Sequence, residues 1–326
     1  MQEMKKVAQP PLTGSDGVTR VSQPVVDGGL VGTNDHERIG EGLAIQEASR
    51  LLGVPAPTLR SWERRYGIPT TPRSVGGHRR YSAAALEEVR LMRDEVARGL
   101  KASAAARSVR SQLDPSDPAQ VWIGRMLEAS MSLDTPAVRT VLDEAMAELG
   151  LPETLDLVLM PAMRRIGSLW ESGRCDIGQE HLTTEAVRGW LARTTTLAPS
   201  PTVPGTVLLA CGPRDLHTLG LEALAAALAF RGIGCRSLGA RTPQRTLVTA
   251  LAATDAAAVV VVSHLSTHRR LAVQSLEAVA GSGCPVFYAG GAFGSVDARD
   301  GVPGTYLGAT LGEAADTVAG VLLGGR

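Results

Sequence analysis

Five short apolar runs, Thr206–Cys211, Cys235–Leu238, Ala257–Ser263, Pro285–Gly290 and Thr305–Leu307, alternate with segments of helical character over residues 205–326. This alternation constrains the fold more than any other feature of the chain. Short runs bounded by helical segments fit strands buried on both faces, and helical crossovers make such strands parallel. The expectation is a Rossmann-like five-stranded parallel sheet with helices on both faces. Ligands of such sheets bind beyond the carboxyl ends of the strands. Three elements fall there: Asp215-Leu216-His217-Thr218-Leu219-Gly220 after the first run, Ser263-His264-Leu265 after the third and Gly290-Gly291 after the fourth. A histidine two residues after an acid suits metal ligation, because the acid can hold one ring nitrogen while the other faces the metal. Alone, a loop histidine is ordinarily a surface residue and a Gly-Gly pair ordinarily a turn. In this order, at strand ends, they mark a site. His264 and His268, beside the Ser-x-Leu element, read as incidental.

The length of 326 residues suits two to three domains. Residues 1–41 are rich in Gly, Val, Asp, Pro and Gln without periodicity, and read as a disordered arm. Breaks at Ser111–Ala119 and Leu197–Gly205 then give three folded units, 42–110, 118–196 and 205–326. Aromatic content is 3%, so the cores must be built from Leu, Val and Ala. The four cysteines show no CxxC pair and read as small buried hydrophobes in a reducing compartment. No apolar span reaches the roughly 20 residues of a membrane helix. Residues 1–41 also lack the hydrophobic stretch of a signal peptide, so the expected location is the cytoplasm.

The first unit is basic although the chain's net charge is zero. From Arg50 to Arg80 seven arginines stand against one acid, Glu63. That local asymmetry is the electrostatic footprint of a polyanion site. Ile45–Leu52 has helical spacing and Gly53 stops it, while Pro57 and Thr58 open a second helix through Tyr66. Two short helices about a tight Gly turn predict a helix-turn-helix. Leu59 and Trp62 face inward, and Arg60, Arg64 and Arg65 outward. The stretch from Pro72 to Ser82 reads as a basic hairpin, and Ser82 caps a longer helix, Ala83–Gly99. Thr58, Arg60, Arg64 and Tyr66 are the candidates for the groove or its adjacent backbone. His78, Arg79 and Arg80 are candidates for phosphates, which add affinity and salt dependence but little sequence information. Trp62 and Tyr81 read as core.

The second unit carries apolar residues at three- and four-residue spacing over Val121–Ser130, Pro136–Leu149, Leu151–Gly167 and Ile177–Thr194. Four such helices predict a small up-down bundle. Trp170 would lie at a helix end and Glu180-His181 near the start of the next, across a loop Glu171–Gly178. All three can therefore converge on one rim.

These motifs carry a resemblance. Leu59-Arg60-Ser61-Trp62-Glu63-Arg64-Arg65-Tyr66-Gly67, followed by Gly77-His78-Arg79-Arg80-Tyr81, resembles the winged helix-turn-helix of MerR-type transcription regulators. The Asp215–Gly220, Ser263–Leu265 and Gly290-Gly291 elements resemble a cobalamin-binding domain with a lower axial histidine. Together with Trp170 and Glu180-His181, the chain from residue 42 onward resembles the CarH/LitR class of light-responsive repressors. The resemblance implies no enzyme activity but a repressor that binds promoter DNA in the dark as a tetramer, loaded with adenosylcobalamin, and controls carotenoid-type genes. It implies that His217 ligates cobalt, that Ser263 meets the displaced nucleotide base and that Leu224–Ala229 walls its slot. Gly290-Gly291 would let the nucleotide approach the backbone. Trp170 would pack on the adenosyl group and Glu180-His181 recognise it. A histidine directly after the cap Trp becomes the upper ligand after illumination in that class; Glu171 stands there instead, which removes the expected bis-histidine product. The competing readings are a MerR-type regulator with a non-binding corrinoid domain under a protein partner's control, and a corrinoid enzyme component, against which the basic head argues.

Overall fold

A computed structural model describes residues 42–71, 79–97, 101–114, 117–171, 175–254, 256–308 and 310–324. The expected arm, His78 and most of the basic hairpin lie outside the described residues. The first unit opens with α1 (Ile45–Leu52) and α2 (Ala56–Tyr66). Gly53 ends α1 at φ 64, a conformation that glycine adopts without steric cost, and this makes the tight turn of a helix-turn-helix. Pro57, in the first turn of α2, is preset for helix entry. Ser82 Oγ accepts the Ala85 N–H at 3.2 Å and caps α3 (Ala83–Ala97). A fourth helix, α4 (Ala102–Gln112), closes the unit and buries Ala105, Ala106 and Val109. Leu59, Trp62 and Tyr81 are buried in one apolar cluster with Val89 and Met92.

The second unit contains α5 (Pro118–Met131), α6 (Thr135–Leu149), α7 and α8 (Ile177–Leu197). Helix α7 runs continuously through Leu151–Glu153, a π-helical stretch Thr154–Leu159, and Met160–Glu171. Asp117 and Asp134 cap α5 and α6, each followed by a first-turn proline. Glu171 belongs to α7 and Ile177-Gly178 to α8, so the expected loop between them is shorter at both ends. The reason is a capping box. Asp176 Oδ1 accepts the Gly178 N–H at 2.7 Å, and Gln179 Oε1 accepts the Asp176 N–H at 2.8 Å.

The third unit is the parallel sheet, with β1 (Thr206–Cys211), β2 (Gly234–Gly239), β3 (Ala258–Val262), β4 (Val286–Ala289) and β5 (Thr305–Tyr306). The helices are α9 (Leu219–Ala229), α10 (Gln244–Thr254), α11 (Arg269–Ala280) and α12 (Leu311–Gly324). Strand order is β2-β1-β3-β4-β5 and every pairing is parallel. Val207, Leu209 and Cys211 join a core shared with the helical bundle, α9 and α12; Leu208 and Ala210 join the opposite core with Leu247 and Leu276. Both faces of β1 are therefore covered, which is why its sequence runs apolar rather than alternating. Burial pushes the thiols of Cys211 and Cys235 up to about 12, so both stay protonated and behave as small hydrophobes. Among the described residues no helix is long and apolar enough to cross a membrane.

Candidate functional site

In this strand order the chain reverses direction across the sheet between β1 and β3, and the loops beyond their carboxyl ends flank a crevice. Asp215 lies in the loop after β1 and His264 in the loop after β3. The Asp215 side chain is fully buried. Its Oδ1 accepts the His217 backbone N–H and pairs with His217 Nδ1, both at 2.9 Å. Its Oδ2 accepts the His264 backbone N–H at 2.5 Å and pairs with His264 Nδ1 at 3.2 Å. Burial opposes charge on Asp215. The hydrogen bonds from His217 and His264 outweigh it and hold the carboxyl well below the usual carboxylate range. An ionised carboxylate only accepts, so each Nδ1 carries the hydrogen and each neutral ring offers Nε2 as a ligand atom. The same hydrogen bond raises the pKa of His217, against the opposing effect of burial.

The two imidazoles lie with ring centroids 5.2 Å apart. Among the described residues, Asp215, His217 and His264 form one three-residue cluster whose ligand atoms lie within 4.8 Å of one another. His264 was legible only as a neighbour of the Ser-x-Leu element. The sequence carried no sign of its role, because the bond to Asp215 spans 49 residues and exists only once β1 and β3 pair.

A cavity of about 650 Å³ opens beside this cluster. Gly220, Leu224, His264, Gly290 and Gly291 line it from the sheet side, Asp156 and Arg164 from α7, and Glu95 and Gln112 from the first unit. That volume falls within the range of small-molecule sites. Of the expected wall Leu224–Ala229, Leu224 faces the cavity; Ala226, Ala227 and Leu228 are buried in the core. Leu265 is exposed, and the His217 side chain is 60% exposed beside the cavity rather than in its wall. Among the described residues Ser263 Oγ has no hydrogen-bond partner; it is buried between Val262 and His264, which line the cavity, and is not itself in the cavity wall. Gly290 and Gly291 line the cavity and also meet a packing requirement that the sequence did not show. A Cβ on Gly290 would lie 2.2 Å from the Ser263 carbonyl oxygen, and one on Gly291 would lie 2.7 Å from that of His264. The pair lets the β4 loop pack against the backbone of the Ser263-His264 element.

Trp170 stands near the end of α7, 46% exposed; Glu180 stands in the first turn of α8 and His181 directly follows it. None of the three lines the cavity. Glu180 Oε1 accepts from Thr184 Oγ1 at 2.9 Å, and His181 Nε2 lies 3.6 Å from Glu180 Oε2. On the first unit Arg60 and Arg64 are exposed, while Thr58 and Tyr66 are half-buried. Arg79 Nε donates to Glu63 Oε2 at 2.5 Å, so Glu63 partly neutralises it. Arg80 stays exposed, with Nη1 3.4 Å from the Gly42 carbonyl.

Residues 43–112 match the family of MerR HTH regulatory proteins, and residues 122–194 and 205–322 each match a B12 binding domain. The chain is 36% identical to the HTH-type transcriptional repressor CarH of Myxococcus xanthus over 221 residues, 62% of this chain and 72% of that one. It is 34% identical to the HTH-type transcriptional repressor CarA of the same organism over 212 residues, 63% and 70% of the two chains. The monomethylamine corrinoid protein of Methanosarcina barkeri matches with a TM-score of 0.53 at 15% identity, over 62% of this chain and 99% of that one, a likeness of fold alone. The chain belongs to the MerR-type, B12-binding family of DNA-binding transcription regulators that includes CarH and CarA.

Proposed function

We propose that this chain is an adenosylcobalamin-dependent, light-responsive repressor. In the cytoplasm it holds promoter DNA as a homo-oligomer, a tetramer, in the dark and releases it on illumination, controlling carotenoid-type genes. The observation that carries this reading is the buried Asp215 carboxylate, which fixes imidazoles beside a cavity bounded by all three units. The orphaned Ser263 hydroxyl and the oxygen-oriented imidazoles fit a corrinoid with a displaced base. When bound, adenosylcobalamin supplies a cobalt–carbon bond that visible light breaks.

The protein's part is orientation and readout. His217 would hold the metal through Nε2 while Asp215 keeps the hydrogen on its Nδ1. Ser263 satisfies the nucleotide base, Leu265 gives apolar contact, and Gly220, Gly290 and Gly291 keep the slot open. Trp170 packs against the adenosyl group and Glu180-His181 recognise it. Residues 42–110 take the DNA, 118–196 the adenosyl side and 205–326 the cobalamin. Thr58, Arg60, Arg64 and Tyr66 address the groove, and His78, Arg79 and Arg80 the phosphates. A ligand that favours the assembled state raises DNA avidity through effective concentration, and its loss withdraws that bias. With Glu171 after Trp170, the illuminated protein should show no persistent bis-imidazole absorption spectrum.

Selection of a DNA ligand from a random pool, followed by mobility shifts of the loaded chain, tests the reading. The shift should be present in the dark, absent without cofactor and lost after green light. A shift indifferent to both would leave a DNA-binding regulator with another trigger.

A further inference from the structure

The Asp215 carboxylate serves two imidazoles, one on each oxygen. His217 is held through Oδ1 and His264 through Oδ2, and each residue also donates its backbone N–H to the same oxygen. The two rings differ in aspect. The His217 side chain is 60% exposed beside the cavity, whereas His264 forms part of the cavity wall at 31% exposure. A Cβ placed on Gly220, across the same wall, would meet His264 Nε2 at 4.0 Å. The ligand atom of His264 therefore faces the space beside α9.

We propose that His264 is a second imidazole donor for the lower face of the cobalt, preset by the same carboxylate as His217 and able to replace it. This rests on the reading that a corrinoid occupies the cavity. Coordination uses the neutral Nε2 lone pair; Nδ1 keeps its hydrogen on Asp215, and the imidazole displaces the existing lower ligand without any change of oxidation state. Removing His217 leaves both His264 donors on Asp215 in place, so the second ring keeps its orientation.

The test is electron paramagnetic resonance of the full chain, expressed with 15N-histidine and loaded with cob(II)alamin. The nucleotide base carries 14N, so 15N splitting identifies a protein imidazole. The wild type should show 15N splitting, His217→Ala should keep it, and His217→Ala/His264→Ala should lose it. His217→Gln, whose amide can still donate to Asp215, should behave as His217→Ala and serves if the alanine variant does not fold. Loss of 15N splitting in the folded single variants, or its survival in the double variant, overturns the proposal. A wild type without 15N splitting overturns the underlying reading instead, and the proposal with it.

Discussion

At the scale of single residues, Asp215 matters more than either histidine it holds. It accepts four hydrogen bonds from His217 and His264 and is fully buried. Asp215→Asn keeps the size but replaces one accepting oxygen with a donor, which cannot pair with an Nδ1–H. Loss of a ligand-orienting carboxylate typically costs about 10- to 100-fold in metal affinity. Spectroscopic titration should show Asp215→Asn binding cobalamin more weakly than His264→Ala; equal binding would remove the carboxylate from the site. The cofactor-free chain also carries a pH signature. The folded pKa of His217 is raised, so the charged pair's stabilisation is fully present below the ordinary histidine value of about 6.5 and fades as pH rises through the raised value. Thermal melts of wild type and His217→Ala should differ most at mildly acidic pH and approach each other above it. Gly290 is a test of packing. With φ at 101, Gly290→Ala costs about 1–3 kcal/mol in backbone strain before its contact with Ser263, so its melting temperature should fall clearly. An unchanged melt would mean the β4 loop can move away.

At the scale of elements, α7 departs most from its sequence. Its apolar periodicity reads as an ordinary helix, and the π-helical stretch Thr154–Leu159 has no local signal. The stretch carries Asp156, whose oxygens accept the N–H groups of Leu311 and Gly312 at 2.7 and 2.8 Å and so cap α12. These bonds join residues 155 and 156 positions apart in sequence, and only the folded molecule can require them. Loss of a cap costs about 0.5–2 kcal/mol. Asp156→Ala should lower the melting temperature and expose Leu311 and Gly312 to faster hydrogen exchange; unchanged exchange would mean α12 is capped without α7. The inner strands β1, β3 and β4 and their parallel direction were legible because apolar runs record burial on both faces; the edge strands β2 and β5 are only partly buried, and the strand order had no local signal. Loop ends such as Ser263-His264 recorded only residue types, and the partnership with Asp215 depends on β1–β3 pairing. The packing reason for Gly290-Gly291 was hidden likewise, since a glycine pair does not say which backbone approaches it. Helix α4 was not among the expected elements: the positions it buries, Ala105, Ala106 and Val109, are small and do not stand out in a run of Ala, Ser and Arg.

At the scale of the whole molecule, α7 touches every unit. Asp156 reaches α12, its middle faces the cavity, and Ser168 Oγ accepts from Arg90 Nη1 of α3 at 3.0 Å. Arg90 and Glu87 are buried where α3 meets α7. One helix thus connects the cavity wall to α3 of the first unit. On the DNA side, Arg60 is exposed on α2. Arg60→Ala should weaken DNA binding and leave cobalamin titration unchanged; undiminished DNA affinity would exclude Arg60 from the interface. The account as a whole stands on a bound corrinoid setting the state of assembly. Gel filtration of the full chain with adenosylcobalamin, in darkness and again after green light, tests this most directly. The account predicts a tetramer-sized peak in the dark that shifts to smaller species on illumination, and one elution volume under all conditions would contradict it.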